Sequence, residues 1–250
     1  MCESFPEVVP ASSEPVARRY GVGVATAGCV RANDWICPAY ISSDADAILA
    51  ALRQHLVLTL ASLALAVVIA LPLALLVRQS RTGRLAALGV GGVVYTIPSL
   101  ALFVLLGPVF GFTSSLPVVV ALAAYNVQVL LRQVLVGLDQ VPAEVREAAV
   151  GMGYGPLAML RRVELPLALP AVLAGLRLAA VSTVALVTVG AVIGSGGLGS
   201  LLYAGFQNDY HPQELTALVL VVLLALTFEV LLQGAERLAT PWQRAGRRSA

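Results

Sequence analysis

Residues 56–77 read LVLTLASLALAVVIALPLALLV, 22 residues without a charge. At about 1.5 Å per residue such a helix is roughly 33 Å long and matches a bilayer hydrocarbon core of about 30 Å. The stretch therefore reads as a transmembrane helix, and the rest of the chain agrees. Of 250 residues, 58% are hydrophobic and 12% charged, the latter about half the share of a soluble domain. Further apolar runs at 85–106, 116–131, 167–193 and 215–232 give five expected spans in an all-α membrane protein.

All sixteen cationic residues are Arg. Arg78, Arg81 and Arg84 lie between the first two spans, Arg146, Arg161 and Arg162 between the third and fourth, and Arg237, Arg244, Arg247 and Arg248 after the fifth. The alternate loops, 107–115 and 194–214, have no Arg. The positive-inside rule then places the Arg-bearing loops and the C-terminus in the cytoplasm and the N-terminus outside, as an odd number of spans requires.

Composition divides the chain into an extension over 1–50, expected to be loosely ordered, a transmembrane domain over 51–240 and a basic cytoplasmic tail over 241–250. The extension holds all three cysteines, of which Cys29 and Cys37 could pair outside the membrane. Arg18 and Arg19 precede an apolar run that is barely long enough for a secretion or lipidation signal ending at Cys29. No metal-ligand spacing links the cysteines to His55 and His211.

The loop over 137–166 is the longest on the Arg-rich side and contains EAAVGMGYGPLAMLRRVELP from Glu147 to Pro166. Pro142 suits a first helical turn, Glu144 and Glu147 lie where a helix dipole favours anions, and Gly151, Gly153 and Gly155 stop the helix. A second short helix is expected from Pro156 to about Glu164, broken at Leu165-Pro166. Small residues let a partner approach the backbone closely, while Tyr154, Leu157 and Met159 add apolar area. Composition alone favours a solvated hairpin joining two spans; spacing separates the two readings.

That spacing resembles the EAA loop of permease subunits of ATP-binding-cassette (ABC) importers at Glu147, Ala148, Ala149, Gly153, Leu165 and Pro166, with Val163 in place of the usual Ile. In that family the loop is a coupling helix seated in a cleft of the cytoplasmic ATPase. The resemblance implies a coupling set of Glu147, Ala148, Ala149, Gly151, Gly153, Tyr154, Leu165 and Pro166. Thr96-Ile97-Pro98-Ser99-Leu100-Ala101, the segment 163–170 and Ile193-Gly194-Ser195-Gly196-Gly197-Leu198-Gly199 are similar to the osmoprotectant branch, whose members import glycine betaine, carnitine, choline and proline betaine.

The resemblance implies a type I ABC importer permease-like bundle of five core transmembrane helices in the cell membrane. Its expected partners are ABC ATPase subunits carrying ATP and Mg, a second permease chain (identical or paralogous), an extracytoplasmic solute-binding protein and lipid, but no nucleic acid. No cofactor is expected on this chain, and a P-loop is excluded because its Lys is missing. It implies a permease, not an enzyme. A methionine-type amino-acid importer shares five spans and parts of the Gly-rich segment and stays open as the alternative. An ion-driven secondary transporter would usually have more spans, inverted repeats and broken helices with buried acids.

Gly194, Gly196 and Gly199 satisfy G-x-G-x-x-G, but the dinucleotide reading needs a βαβ unit that does not fit beside a membrane span. A tight, mobile outer-face turn is the expectation, and the resemblance implies that Gly194, Gly196, Gly197 and Gly199 form an outer gate or binding-protein contact. Tyr95, Pro98 and Ser99 are candidates for the translocation path. Arg177 and Glu229, charges within apolar spans, are expected either to pair or to snorkel to the interface. The aromatics, including Tyr95 and Tyr125, are too scattered to reveal a cage for a quaternary ammonium ion.

Overall fold

The computed structural model describes residues 27–111 and 114–241; the Arg18-Arg19 segment and Arg244, Arg247 and Arg248 of the basic tail lie outside them. Two short helices, α1 (Ala27–Ala32) and α2 (Pro38–Ser43), precede α3 (Ala45–Val77), α4 (Arg81–Thr96), α5 (Ser99–Phe110) and α6 (Leu116–Asp139). After the loop come α7 (Ala143–Gly151), α8 (Pro156–Met159), α9 (Leu165–Val189), α10 (Leu198–Gln207) and α11 (His211–Ala239). No strand occurs among the described residues. Among the described residues, four stretches are long and apolar enough to cross a membrane: α3, α6, Pro156–Ile193 and α11.

The fifth expected span, 85–106, is not one straight helix. Pro98 has no N–H, and Ile97 before it is pushed to an extended ψ of 129°, so α4 ends and α5 leaves at 98° to it. Counted as one broken span, the pair brings the total to five. The third span is longer than expected and runs to Asp139, which puts Arg132 inside α6.

Leu165-Pro166 does not break the chain into two helices. Residues Leu160–Glu164 form a π-helical turn in which the Leu165 N–H returns to the Leu160 carbonyl, and α8 continues through it into α9. The wider turn accommodates the N–H that Pro166 lacks, so α8 and the fourth span form one continuous helical stretch, Pro156–Ile193.

Helices α3, α6, α9 and α11 pack in sequence, with α4 and α5 against α6 and α10 against α11. Close approach comes from small side chains: Ala66, Ala70, Ala179 and Ala180 are fully buried between α3, α6 and α9. Gly137 faces the backbone of Ala168 and Gly175 faces Gln133, so a Cβ at either site would collide across α6 and α9. Buried polar groups join the same helices, Asn126 Nδ2 donating to Thr183 Oγ1 at 2.8 Å and His55 Nε2 lying 3.1 Å from the Val184 carbonyl.

Part of the segment expected to be loosely ordered is folded. Cys29 and Cys37 form a disulfide, and between them the Asn33 side chain donates to the Asp209 carbonyl at 2.7 Å and accepts from the His211 N–H at 3.0 Å. Trp35 stacks on the His211 ring at 4.1 Å, and Tyr40 meets Tyr210 edge to face. These contacts strap the segment onto the turn between α10 and α11. The first long helix starts at Ala45, ahead of the expected boundary at 50.

Candidate functional site

The loop opposite that strap is built around one carboxylate. Glu164, buried in the π-helical turn, pairs with Arg78 at the end of α3 and lies 3.2 Å from Arg146 Nε on α7. Arg146 also donates to the Leu138 carbonyl at 2.6 Å, which closes the path back to α6. A second pair, Arg84 with Asp139, joins α4 to α6 at the same end. The Arg-bearing segments after spans one and three therefore gather at one end of the bundle. No local pattern in the sequence marks Glu164, because its partners are 18 and 86 residues away.

Tethered in this way, α7 and the turn that leads into α8 leave apolar side chains outward, Val150 near the end of α7, Met152 at its C-cap and Leu157 on α8. Val150, Met152 and Leu157 are 63%, 69% and 60% exposed, while Ala149 is buried against the bundle. Glu147, Ala148, Gly151 and Gly153 are also exposed, Tyr154 is partly covered, and Leu165 and Pro166 lie inside the continuous helix behind them. Met159, expected to offer contact area, is buried; Val150 and Met152 take its place. Gly153 has φ +82°, a left-handed conformation that ends α7 and aims the chain toward α8.

At the opposite end the Gly-rich segment is clamped. A Cβ on Gly197, whose φ is +50°, would lie 2.7 Å from His55 Cα, and one on Gly199 would fall inside the Thr188 backbone. This is the tight turn expected of the segment, with Gly197 packed on α3 and Gly199 on α9. Gly194, with φ +82°, has open space around it. Gly199→Ala is therefore expected to destabilise the purified protein by about 2 kcal/mol or more through overpacking, and Gly194→Ala by about 1 kcal/mol through backbone strain alone. Thermal unfolding in detergent measures both; an equal effect would contradict the packing difference.

Arg177 lies 3.4 Å from Glu229 and 3.5 Å from Glu236, joining α9 to α11. Glu236 is the partner that sequence reading missed. Tyr95, Pro98 and Ser99 all fall at the α4–α5 break, with Tyr95 half exposed and its ring 5.6 Å from that of Tyr125.

A bundle with a broken span and a tethered, outward-facing helix on one end has the architecture of a transport permease. Residues 55–244 match the binding-protein-dependent transport system inner membrane component family, and the chain belongs to it. It is 33% identical over 189 residues to the choline transport system permease protein OpuBB of Bacillus subtilis, covering 75% of this chain and 86% of that one. It is 34% identical over 192 residues to the osmoprotectant import permease protein OsmW of Salmonella typhimurium, covering 75% and 89%. Among solved structures, the inward-facing MetNI methionine ABC transporter superposes with a TM-score of 0.67 at 26% identity, over 77% of this chain and 96% of that chain. The chain is an ABC importer permease of the type I fold, an inner-membrane transport component.

Proposed function

We propose that this permease imports osmoprotectant quaternary amines, with glycine betaine, carnitine, choline and proline betaine as the solute class. The relatives named for choline and osmoprotectant transport support the solute class. The observation that carries the coupling mechanism is the set of exposed apolar side chains at the end of α7 and the start of α8, with α7 held to the end of α3 through Glu164 and to α6 through Arg146 and the Leu138 carbonyl. In this reading α7, with Glu147, Ala148, Ala149, Gly151, Gly153 and Tyr154, seats in an ATPase subunit that binds ATP and Mg. Leu165 and Pro166 pass its movement into α9. Two permease chains enclose the passage, and closure of the ATPase pair draws the two α7 helices together.

The Arg-rich end faces the cytoplasm and the N-terminus lies outside. Arg placement supports that orientation, and so does the Cys29–Cys37 disulfide at the other end, since disulfides persist in oxidising compartments. Gly194, Gly196, Gly197 and Gly199 belong to the outer end, where a solute-binding protein delivers cargo. The likeness to a methionine transporter favours a second reading, amino-acid import. Reconstitution with the ATPase and binding protein, followed by uptake of labelled glycine betaine, carnitine, choline and methionine, separates them. Uptake of the quaternary amines is expected; uptake of methionine alone would overturn the solute class.

A further inference from the structure

The break in the second span brings together groups that the sequence scatters. Tyr95 sits at the end of α4, 54% exposed, with Tyr125 of α6 edge to face beside it at 73°. Tyr125 donates its hydroxyl hydrogen to the Ile97 carbonyl, which fixes both the extended residue at the break and its own ring. The Ile97 N–H turns back to Val94 and Pro98 has none, so among the described residues no donor reaches the carbonyls of Tyr95 or Thr96.

Depth gives these observations their weight. Tyr125 lies nine residues into α6, so the break stands about 14 Å from one end of that helix and about 21 Å from the other. Carbonyls without partners and a half-exposed tyrosine at that depth do not face acyl chains, because hydrocarbon offers nothing to hydrogen-bond them. The surroundings left to them are a wet passage or another protein surface. The chemistry displayed favours a passage for cations: an aromatic face attracts positive charge, and the C-terminal end of a 16-residue helix carries partial negative charge. No acid sits at the break, so a cation would be held loosely enough to leave.

We propose that the Tyr95 ring face and the carbonyls of Tyr95 and Thr96 form a transient subsite for the quaternary ammonium head of the transported solute, with Tyr125 as its positioning residue. The subsite rests on the osmoprotectant reading above. A ring is needed at residue 95, and a hydroxyl is not: no described residue hydrogen-bonds the Tyr95 hydroxyl. One face-on cation contact corresponds to about a tenfold effect.

The test uses the full permease reconstituted with its ATPase and a saturating binding protein, and reads labelled glycine betaine and choline imported per ATP hydrolysed. Tyr95→Phe and Tyr95→Trp are expected within about twofold of the parent, and Tyr95→Leu about tenfold lower, with folded yield and permease pairing unchanged. Tyr95→Leu transporting as well as Tyr95→Phe would overturn the subsite while leaving the solute class intact. So would loss of permease pairing in Tyr95→Leu, which would make the ring an interface residue. A parent protein that imports methionine and no quaternary amine would instead remove the solute class, and the subsite with it.

Discussion

Val150→Asp combined with Met152→Asp is expected to release the ATPase from the purified permease while leaving the permease folded. Both side chains are more than 60% exposed on the free protein, so their own fold gains little from them. Surface substitutions of this kind usually change stability by no more than about 0.5 kcal/mol. In a partner's cleft each would bury a side chain worth about 1.5–3 kcal/mol, and the carboxylates add a desolvation cost. The combined loss is at least about 3 kcal/mol, on the order of 100-fold in affinity. Titration of labelled ATPase against permease in nanodiscs measures it, and unchanged affinity would mean that Val150 and Met152, at the end of α7, are not part of the docking surface.

Glu164→Gln is expected to act differently: the ATPase still binds, but uptake per ATP hydrolysed falls at least about tenfold. The carboxylate is the common partner of Arg78 and Arg146, so its neutralisation leaves two guanidinium groups facing an amide in a half-buried setting. Breaking a fully buried pair costs about 3–5 kcal/mol, and the partial exposure of both arginines brings this nearer to about 2 kcal/mol. The loss is local. It frees α7 to move without pulling on the end of α3, while Arg146 keeps its bond to the Leu138 carbonyl of α6, which separates binding from force transmission. Simultaneous measurement of ATPase affinity and coupling ratio checks this, and a normal coupling ratio would show that the π-helical turn alone carries the movement.

Membrane character, approximate spans, the Arg-rich end and the short helices of the 137–166 loop were all legible, because each is written in local composition or in a spacing of a few residues. Residues 56–77 and the EAA pattern at Glu147 are of this kind. What escaped depends on separations that no window contains. Glu164 meets Arg78 across 86 residues, and Tyr95 meets Tyr125 only because the helix turns at Pro98. The continuous path through Leu165-Pro166 was misread for another reason: proline signals a break in an α-helix, and a π-helical turn removes the conflict without ending the helix. Glycine content at 194–199 marked a tight turn, but not that Gly197 and Gly199 are required where helices and backbone approach too closely for a Cβ.

The Arg177 cluster shows the same limit. Two ionisable residues within apolar spans were visible, and their pairing was one of two open readings. The structure pairs them and adds Glu236, seven residues after Glu229 and therefore on the same face of α11. A helical-face count from Glu229 would have found it.

Accessibility labelling of a single cysteine at Val150 tests the coupling mechanism most directly. In a Cys2→Ser background, with Cys29 and Cys37 held in their disulfide, Val150→Cys is expected to react with an impermeant maleimide in inside-out vesicles and not in intact cells, and to be protected when ATPase is added. Reaction from the outside of intact cells would put α7 on the wrong side of the membrane and contradict the account.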